Sequence, residues 1–480
     1  NSSPMLGRYL ESVTEAAELL VGGELVAFPT ETVYGLGADA RNATALGRIF
    51  EVKGRPRTDP LIVHVATAVD AEPLLAMPSP DALDLFRALA ADFWPGPLTI
   101  VAPMAADLPT LLSAGTGAVG VRCPSHARAR QLIAAAGIPV AAPSANRFGH
   151  VSPTRPEHVM SDLGRSRIFV LRDAPGASCE IGIESTVLKI DDTNRQLVLL
   201  RRGGVPELRL ARWVQEYSPG YSLTIGVPSS NPAAEATKAA ATEAAATEAA
   251  AAARGATAAD AVLPGTPGAS AGMASGLSQR RSMSPRRAAA SAGVAQGGAA
   301  GSGAADAAGG TAGGMAAPGM LLTHYAPDLP SFLLRPSDVS AASAVQSIVA
   351  TADGVGGGAT PLTLSSAAIV DFGGRAAHLA SLVSAYRDLS PDGDALAAAT
   401  GLFEALRWAE ERAADGARCV LLPDVLAATA EVPRAPGAGS PFEFAPVLHP
   451  EAAPALADRL FRAASGRGAA FSPDGRLVPT

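Results

Sequence analysis

The sequence predicts an α/β protein of two domains held apart by a low-complexity insert. Three observations carry this. Short β-branched runs alternate with helical patterns from residue 9 to 217, the composition then changes to Ala, Gly, Ser and Thr, and the alternation resumes toward residue 480. A chain of 480 residues is also too long for one ordinary core.

In the first region the strand candidates are, in order, "ELVAF", "PLIVHV", "PLTIVA", "AVGVR", "IPVAAP", "RIFVLR", "STVLKI" and "LVLLRR". Helices between several of them point to a mixed sheet. One helix is explicit in "NATALGRIFEVKG". Leu46, Ile49 and Phe50 recur at helical spacing, Asn42 or Thr44 offers a cap, and Gly54 a stop, which puts Lys53 in the last turn. Pro56 and Pro60 keep the next residues out of helix, so Arg55 and Arg57 sit on an extended loop. In the strand that follows, Leu61, Val63 and Val65 share one face while Ile62 and His64 share the other.

The segment 218–316 reads as a disordered insert. Its alanine-rich part has no apolar face to bury, and its glycine-rich part cannot offset its ordering entropy. "RRSMSPRR" within it reads as solvated linker. Residues 317–327 form a short linker, and 328–480 a smaller α/β domain with a largely parallel sheet, its strands including "AAIVDFG" and "CVLLP". In "ALAAATGLFEALRWAEERAADGA", Leu402, Leu406 and Ala409 line one helix face with Phe403 alongside, and Gly416 closes the segment.

Net charge is −7, which offers no overall footprint for nucleic acid. Cys123, Cys179 and Cys419 are too far apart for a zinc site or a disulfide framework and fit a reducing compartment, so a cytoplasmic location is expected, with an organelle left open. No apolar run of about 18 residues free of charge suggests a membrane span. The chain starts at Asn1 with no apolar signal core, leaving open whether a leader was trimmed.

The chemistry gathers around the strands. "KGRPRTDPLIVHV" sets Lys53, Arg55 and Arg57 ahead of a strand ending on His64. "PTETVYGLG" supplies Thr30 and Thr32, with Gly35 and Gly37 permitting close backbone approach. "PSANRFGHVSPT" supplies Ser144, Asn146, Arg147, Ser152 and Thr154. Arg122 and Arg201 end strands, and Ser185 and Thr186 begin one. Each has a plainer reading: a last-turn lysine complements the helix dipole, and a strand histidine is commonly a satisfied core residue. Together they form an inventory of guanidinium, ammonium, hydroxyl and amide groups suited to a polyanion and a small polar ligand. Phosphoryl or nucleotidyl transfer needs little more than this and Mg²⁺. No GxxxxGK[ST], no GxGxxG after the first strand and no nucleophile elbow is present, so the pattern stops at an anion-binding enzyme that uses a nucleotide.

"PTETVYGLG", "KGRPRTDPLIVHV", "WPGPLTIV", "VRCP", "PSANRFGHVSPT" and "GIESTV", in this order, resemble the YrdC/Sua5 family of threonylcarbamoyl-AMP synthases. "APGMLLTHYAP", "YRDLSPDGDALAAATGLFEALRWAEE" and "HPEAAPALADRLFRAA" resemble the closing linker and C-terminal domain of its two-domain Sua5 form. The resemblance implies a YrdC-like twisted mixed sheet and a Rossmann-like second domain. It also implies a reaction, L-threonine, bicarbonate and Mg²⁺-ATP giving L-threonylcarbamoyladenylate and pyrophosphate. The product would feed a downstream threonylcarbamoyl transferase that modifies tRNA, with tRNA touched only indirectly and no membrane involved. By the family pattern Lys53, Arg55, Ser144 and Asn146 are catalytic. Arg55, Asp59, Ser144, Ser152 and Arg201 face ATP; Thr32, His64, Arg122 and Ser185 hold threonine; and His324 and Tyr325 of the linker approach the nucleotide. A guanidinium fork matches a carboxylate, so Arg122 is expected on that of threonine. No protein ligand to a metal is implied.

Three positions depart from the family. Asp59 stands where Asn is usual, which would repel phosphates unless Mg²⁺ or Arg57 compensates; Ala118 replaces a threonine, and Arg202 a proline. Two other readings stay open: an RNA-binding module built on this fold, and a carbamoyl-phosphate-using carbamoyltransferase or hydrogenase-maturation relative. The first is disfavoured by a near balance of acids and bases in the first domain, the second because no acylphosphatase, zinc-finger or large carbamoyltransferase segment is visible.

Overall fold

The computed structural model describes residues 5–173, 179–218, 220–226, 315–318, 324–334, 362, 364–426, 447–471 and 477–479. All belong to one compact unit, 1–230 with 312–480, while the unit 231–311 contains no described residue. The insert read at 218–316, with its "RRSMSPRR", therefore lies largely outside the described residues. Its margins do not: a strand falls at Ser222–Ile225, and Met315 N donates to Thr58 O at 2.9 Å.

The first domain runs β1 (Arg8–Leu10), α1 (Val13–Val21), β2 (Val26–Phe28), β3 (Gly35–Asp39), α2 (Ala43–Lys53), β4 (Ile62–His64), α3 (Pro80–Phe93), β5 (Leu98–Pro103), β6 (Ala118–Arg122), α4 (Ala127–Ala136), β7 (Val140–Ala141), α5 (Pro156–Leu163), β8 (Phe169–Leu171), β9 (Thr186–Asp191), β10 (Gln196–Arg201), α6 (Glu207–Tyr217) and β11 (Ser222–Ile225). They form one mixed sheet in the order β1-β8-β2-β3-β7-β4-β6-β5-β9-β10-β11. Every strand expected from the sequence is present. β3 was read only as a glycine-bearing loop, and the glycines explain it: a Cβ on Gly37 would stand 2.8 Å from Phe28 and 2.9 Å from Val140, so only a bare backbone passes between β2 and β7.

Helix α2 begins where Asn42 Oδ1 accepts from the amides of Thr44 and Ala45, both at 3.1 Å, and ends at Gly54 with φ 62°. It packs with α3, α5 and α6 on one face of the sheet, in the core that takes Leu61, Val63 and Val65. The other face is covered by α1 and α4 at one end, over Val26, Phe28, Val140 and Ala142. Ile62 and His64 point to this second face, as the alternation requires.

The second domain contains β12 (Ser331–Leu334), β13 (Ala367–Asp371), β14 (Ala385–Asp388), α7 (Ala395–Glu411), β15 (Cys419–Pro423), α8 (Ala453–Ala463), β16 (Gly468–Phe471) and β17 (Leu477–Pro479). The sheet order is β14-β13-β15-β12-β16-β17, with the first five strands parallel and β17 antiparallel. Leu402, Phe403 and Leu406 of α7 are fully buried, each stabilising the packed state by roughly 1.5–3 kcal/mol. Their core also takes in Val33, Val151 and Ile183 of the first domain and Tyr325 of the linker, so the two sheets share one apolar seam. Among the described residues no helix is long and apolar enough to cross a membrane.

Candidate active site

A cleft of about 530 Å³, counted to its open mouth, lies over the second face of the large sheet. It is lined both by the strand face, with Ile62 and His64, and by loops at the strand ends, with Thr30, Arg55, Ser144 and Ser185. β4 and its neighbours are short and run in mixed directions, so polar groups from both strand ends converge over one face. Its wall includes Thr30 and Thr32 from the β2–β3 loop, Arg55 from the loop after α2, His64, Arg122, Ser144, Glu184, Ser185 and Arg201. Pro318, His324 and Tyr325 close it from the linker. Of the thirteen residues to which the family resemblance gives a role, nine thus meet at one surface: Thr32, Arg55, His64, Arg122, Ser144, Ser185, Arg201, His324 and Tyr325.

The other four lie behind that wall. Lys53 Nζ donates to Ser144 O at 2.6 Å and to Asn146 O, which holds the Ser144–Asn146 loop from below. Burial, then the neighbouring Arg55, lowers its pKa to about 7. Asn146 Nδ2 donates to the carbonyls of Arg147 and His150 at 2.7 and 2.8 Å, fixing the loop's far side. Ser152 Oγ donates to Glu184 Oε1 at 2.6 Å. Asp59 is fully buried, and its Oδ2 lies 2.9 Å from Arg55 Nη2. The compensating cation for this family departure is therefore Arg55; Arg57 is exposed. Burial raises the Asp59 pKa against the pull of Arg55. Arg55 also donates from Nε to Asp59 O at 3.2 Å and from Nη2 to Pro60 O at 2.8 Å.

Arg201 differs from Arg55 and Arg122 in lacking a carboxylate partner among the described residues. It donates from Nε to Ser185 O at 3.1 Å, from Nη2 to Ser185 Oγ at 3.0 Å and from Nη1 to Pro318 O at 3.2 Å. Ser185 Oγ meets Thr99 Oγ1 at 2.8 Å, so one hydroxyl joins two strands and a guanidinium. Arg122 already holds an internal carboxylate: Nη2 is 2.7 Å from Glu31 Oε1, while Nη1 donates to Thr32 Oγ1 at 2.9 Å and Nε to Gly96 O at 3.2 Å. Burial works against the charge on Glu31, but Arg122 holds its carboxyl below the usual range.

Burial, then Arg122, drives the His64 pKa down to about 3, so the ring is neutral. His64 packs edge-on against Phe28 at 6.0 Å. His324 is likewise held well below its ordinary pKa by burial and then by Arg55 and Lys53, and burial pushes Tyr325 up to about 12. His64 Nδ1, His324 Nδ1 and the Tyr325 hydroxyl are buried without a hydrogen-bond partner among the described residues. Buried polar atoms are met by protein, ordered water or a ligand, and all three of these residues line the cleft.

Glu31 and Glu184 were missed in the sequence because nothing in their spacing distinguishes them from ordinary loop acids. Only the folded chain shows each lying within 3 Å of a buried arginine. Glu184 is the carboxylate in the cleft wall. Away from the cleft, His150, Asp328 and Glu410 place possible metal-ligating atoms within 4.8 Å of one another. His150 there is bonded on both nitrogens, to Asp162 at 2.7 Å and Glu410 at 3.0 Å, and Arg407 and Arg147 balance Asp162 and Asp328. The cluster is complete as an ion-pair network.

Comparison with known proteins matches both parts of the fold. Residues 18–203 match the Sua5_yciO_yrdC family model, described as "Telomere recombination", and residues 293–465 match "Threonylcarbamoyl-AMP synthase, C-terminal domain". The threonylcarbamoyl-AMP synthase of Bacillus subtilis (strain 168) is 47% identical over 194 residues, 40% of this chain and 54% of that protein. The match thus spans about half the length of that relative. The putative threonylcarbamoyl-AMP synthase of Mycobacterium tuberculosis (strain ATCC 25618 / H37Rv) is 36% identical over 199 residues, 42% of this chain and 87% of that one. The crystal structure of P. abyssi Sua5 complexed with L-threonine superposes with a TM-score of 0.57 at 25% identity, covering 96% of this chain and 97% of that one. With both halves of the fold matched and the cleft lying between them, the chain belongs to the Sua5/YciO/YrdC family, in the form that carries the second, C-terminal domain.

Proposed function

We propose that the chain is a threonylcarbamoyl-AMP synthase: L-threonine, bicarbonate and ATP give L-threonylcarbamoyladenylate and pyrophosphate. The observation that carries this is the cleft itself, in which three buried arginines and a set of hydroxyls face two neutral histidines. A relative that binds L-threonine in the same fold supports the amino-acid half of the reading. Threonine's amine forms a bond to the bicarbonate carbon with loss of water. A carbamate oxygen then attacks the α-phosphorus of ATP, the bond to the bridging oxygen breaks, and pyrophosphate leaves with the electron pair. Negative charge passes toward the leaving phosphates, so fixed cations stabilise the transition state more than the ground state.

We assign Arg201 and Arg55 to the phosphates, with Lys53 supporting the Ser144–Asn146 loop that would cradle the nucleotide. Arg201 leads because, among the described residues, no carboxylate is in ion-pair contact with it, and Glu184 acts on it only from further off. Thr32, His64, Arg122 and Ser185 would hold threonine. A guanidinium has five N–H donors, and the contacts of Arg122 leave some for an amino-acid carboxylate. Neutral His64 can exchange a hydrogen bond with the threonine hydroxyl. Mg²⁺ would arrive with ATP as part of the substrate, and the product would pass to the enzyme that transfers the threonylcarbamoyl group to tRNA.

The test is pyrophosphate release by the purified protein with Mg²⁺-ATP, omitting threonine and bicarbonate in turn. Release that requires both is expected. Release that requires neither would identify a nucleotide hydrolase and overturn the reading, and dependence on carbamoyl phosphate would select the carbamoyltransferase alternative.

A further inference from the structure

Helix α8 of the second domain sends one side chain back to the cleft. Arg459 is 0% exposed, the largest side chain among the described residues to be so fully enclosed. Its Nε donates to Glu184 Oε2 at 2.9 Å, its Nη2 to Arg202 O at 2.8 Å and its Nη1 to Asp458 Oδ2 at 2.8 Å. The guanidinium carbon lies 5.2 Å from the centre of the Tyr325 ring. One planar fork therefore touches the carboxylate in the cleft wall, the backbone just after Arg201, and the aromatic ring of the linker.

Each contact has a bearing on the site. Glu184 precedes Ser185 and uses its other oxygen to accept from Ser152. Were Arg459 absent, Glu184 would be a buried carboxylate without its paired counter-ion, left only the more distant Arg201, a state that proteins avoid by rearranging or taking up a proton. Rearrangement releases Ser152 and loosens the turn bearing Ser185, and uptake of a proton weakens the charge-assisted bond that Ser152 donates. A lysine cannot substitute, because a point charge cannot serve three acceptors in one plane. Asp458 is in turn held by Arg462 Nε at 3.1 Å, so the fork is braced from its own helix.

We propose that Arg459 is a positioning residue for the reaction: through Glu184, Ser152 and the Arg202 backbone it sets the geometry of the phosphate side of the cleft, which makes the second domain part of the active site. This rests on the synthase reading for which ligand is affected. The experiment uses the full chain with R459M, R459K, E184Q and the double variant R459M/E184Q. ATP affinity is measured by calorimetry and KM and kcat by pyrophosphate release, with urea unfolding run alongside. Folded R459M is expected to bind ATP at least tenfold more weakly, with a smaller change in the KM for threonine. R459K should recover little. R459M/E184Q should recover most of the loss, since it removes the unpaired charge and keeps an acceptor for Ser152. A folded R459M with wild-type ATP affinity, or a double variant no better than R459M, would overturn the proposal. Should R459M not fold, R459K against wild type decides on the same affinity criterion. Calorimetry separates the two questions: wild type that binds ATP without releasing pyrophosphate would defeat the synthase reading and leave the Arg459 comparison intact.

Discussion

Asp59→Asn tests how the cleft holds cationic charge before substrate arrives. The carboxylate and the Arg55 guanidinium are both buried and 2.9 Å apart. At an effective dielectric of about 20 their gross attraction is on the order of 6 kcal/mol, most of it offset by desolvation. Breaking such a pair costs about 3–5 kcal/mol when one charge is left alone. Asparagine keeps an oxygen facing Nη2, so the expected loss for the ligand-free protein is about 2–3 kcal/mol. ATP should behave in the opposite way. Arg55 no longer divides its charge between Asp59 and a phosphate, and a gain of about 1.4 kcal/mol would tighten ATP binding roughly tenfold. The assay is urea unfolding without nucleotide, paired with ATP calorimetry at moderate salt. A lower midpoint with tighter binding is expected. Binding that weakens along with stability, or an unchanged value for both, would refute the assignment of Arg55 to the phosphates.

Three further tests follow from particular contacts. Lys53 has a folded pKa of about 7 against an ordinary 10.5, so between these values the unfolded chain binds the extra proton and stability rises with pH. Wild type should gain up to roughly 1.4 kcal/mol per pH unit from about pH 7 to 10 relative to K53M, by urea midpoints; parallel curves would contradict the buried state of this lysine. In G182A the new Cβ would lie 2.1 Å from Thr400 O on α7, at a residue with φ +70°, so the two domains must part slightly. A loss of about 3 kcal/mol with raised KM values is expected, and a change under about 0.5 kcal/mol would show that the contact yields freely. Ser185→Ala removes the hydroxyl shared with Thr99 and Arg201 and should raise the KM for threonine roughly tenfold, more than that for ATP. Equal effects on both would move Ser185 out of the threonine subsite.

Much of the first domain was legible because its information is local. Asn42, Gly54 and the 3.6-residue spacing define α2, and the alternation Leu61, Ile62, Val63, His64 assigns the histidine to the cleft face. The same locality places Arg122 and Arg201 at strand ends. What could not be read is what depends on distant partners. Glu31 is distinguished from any loop acid only by Arg122, 91 positions further on, and Glu184 only by Arg459 of the other domain. Lys53 is legible as a last-turn lysine, but the place of its ammonium beneath the Ser144–Asn146 loop is not. β12, β14 and β16 escaped because short strands in a parallel sheet are specified by their neighbours more than by their own pattern.

The chain leaves the sheet and returns to it at two fastened points. Gly226 N is bonded to Leu199 O at 2.9 Å, and Met315 N to Thr58 O at 2.9 Å, with Ala317 buried against Val101, Val187 and Leu200. The connection between these anchors is the Ala/Gly-rich sequence, which lies outside the described residues. Doubling or halving the connection changes its closure free energy by only about 0.6 kcal/mol. The join is therefore expected to act as a permissive port: with both anchors kept, exchanging its sequence or grafting in a fluorescent domain or affinity handle should leave pyrophosphate release intact.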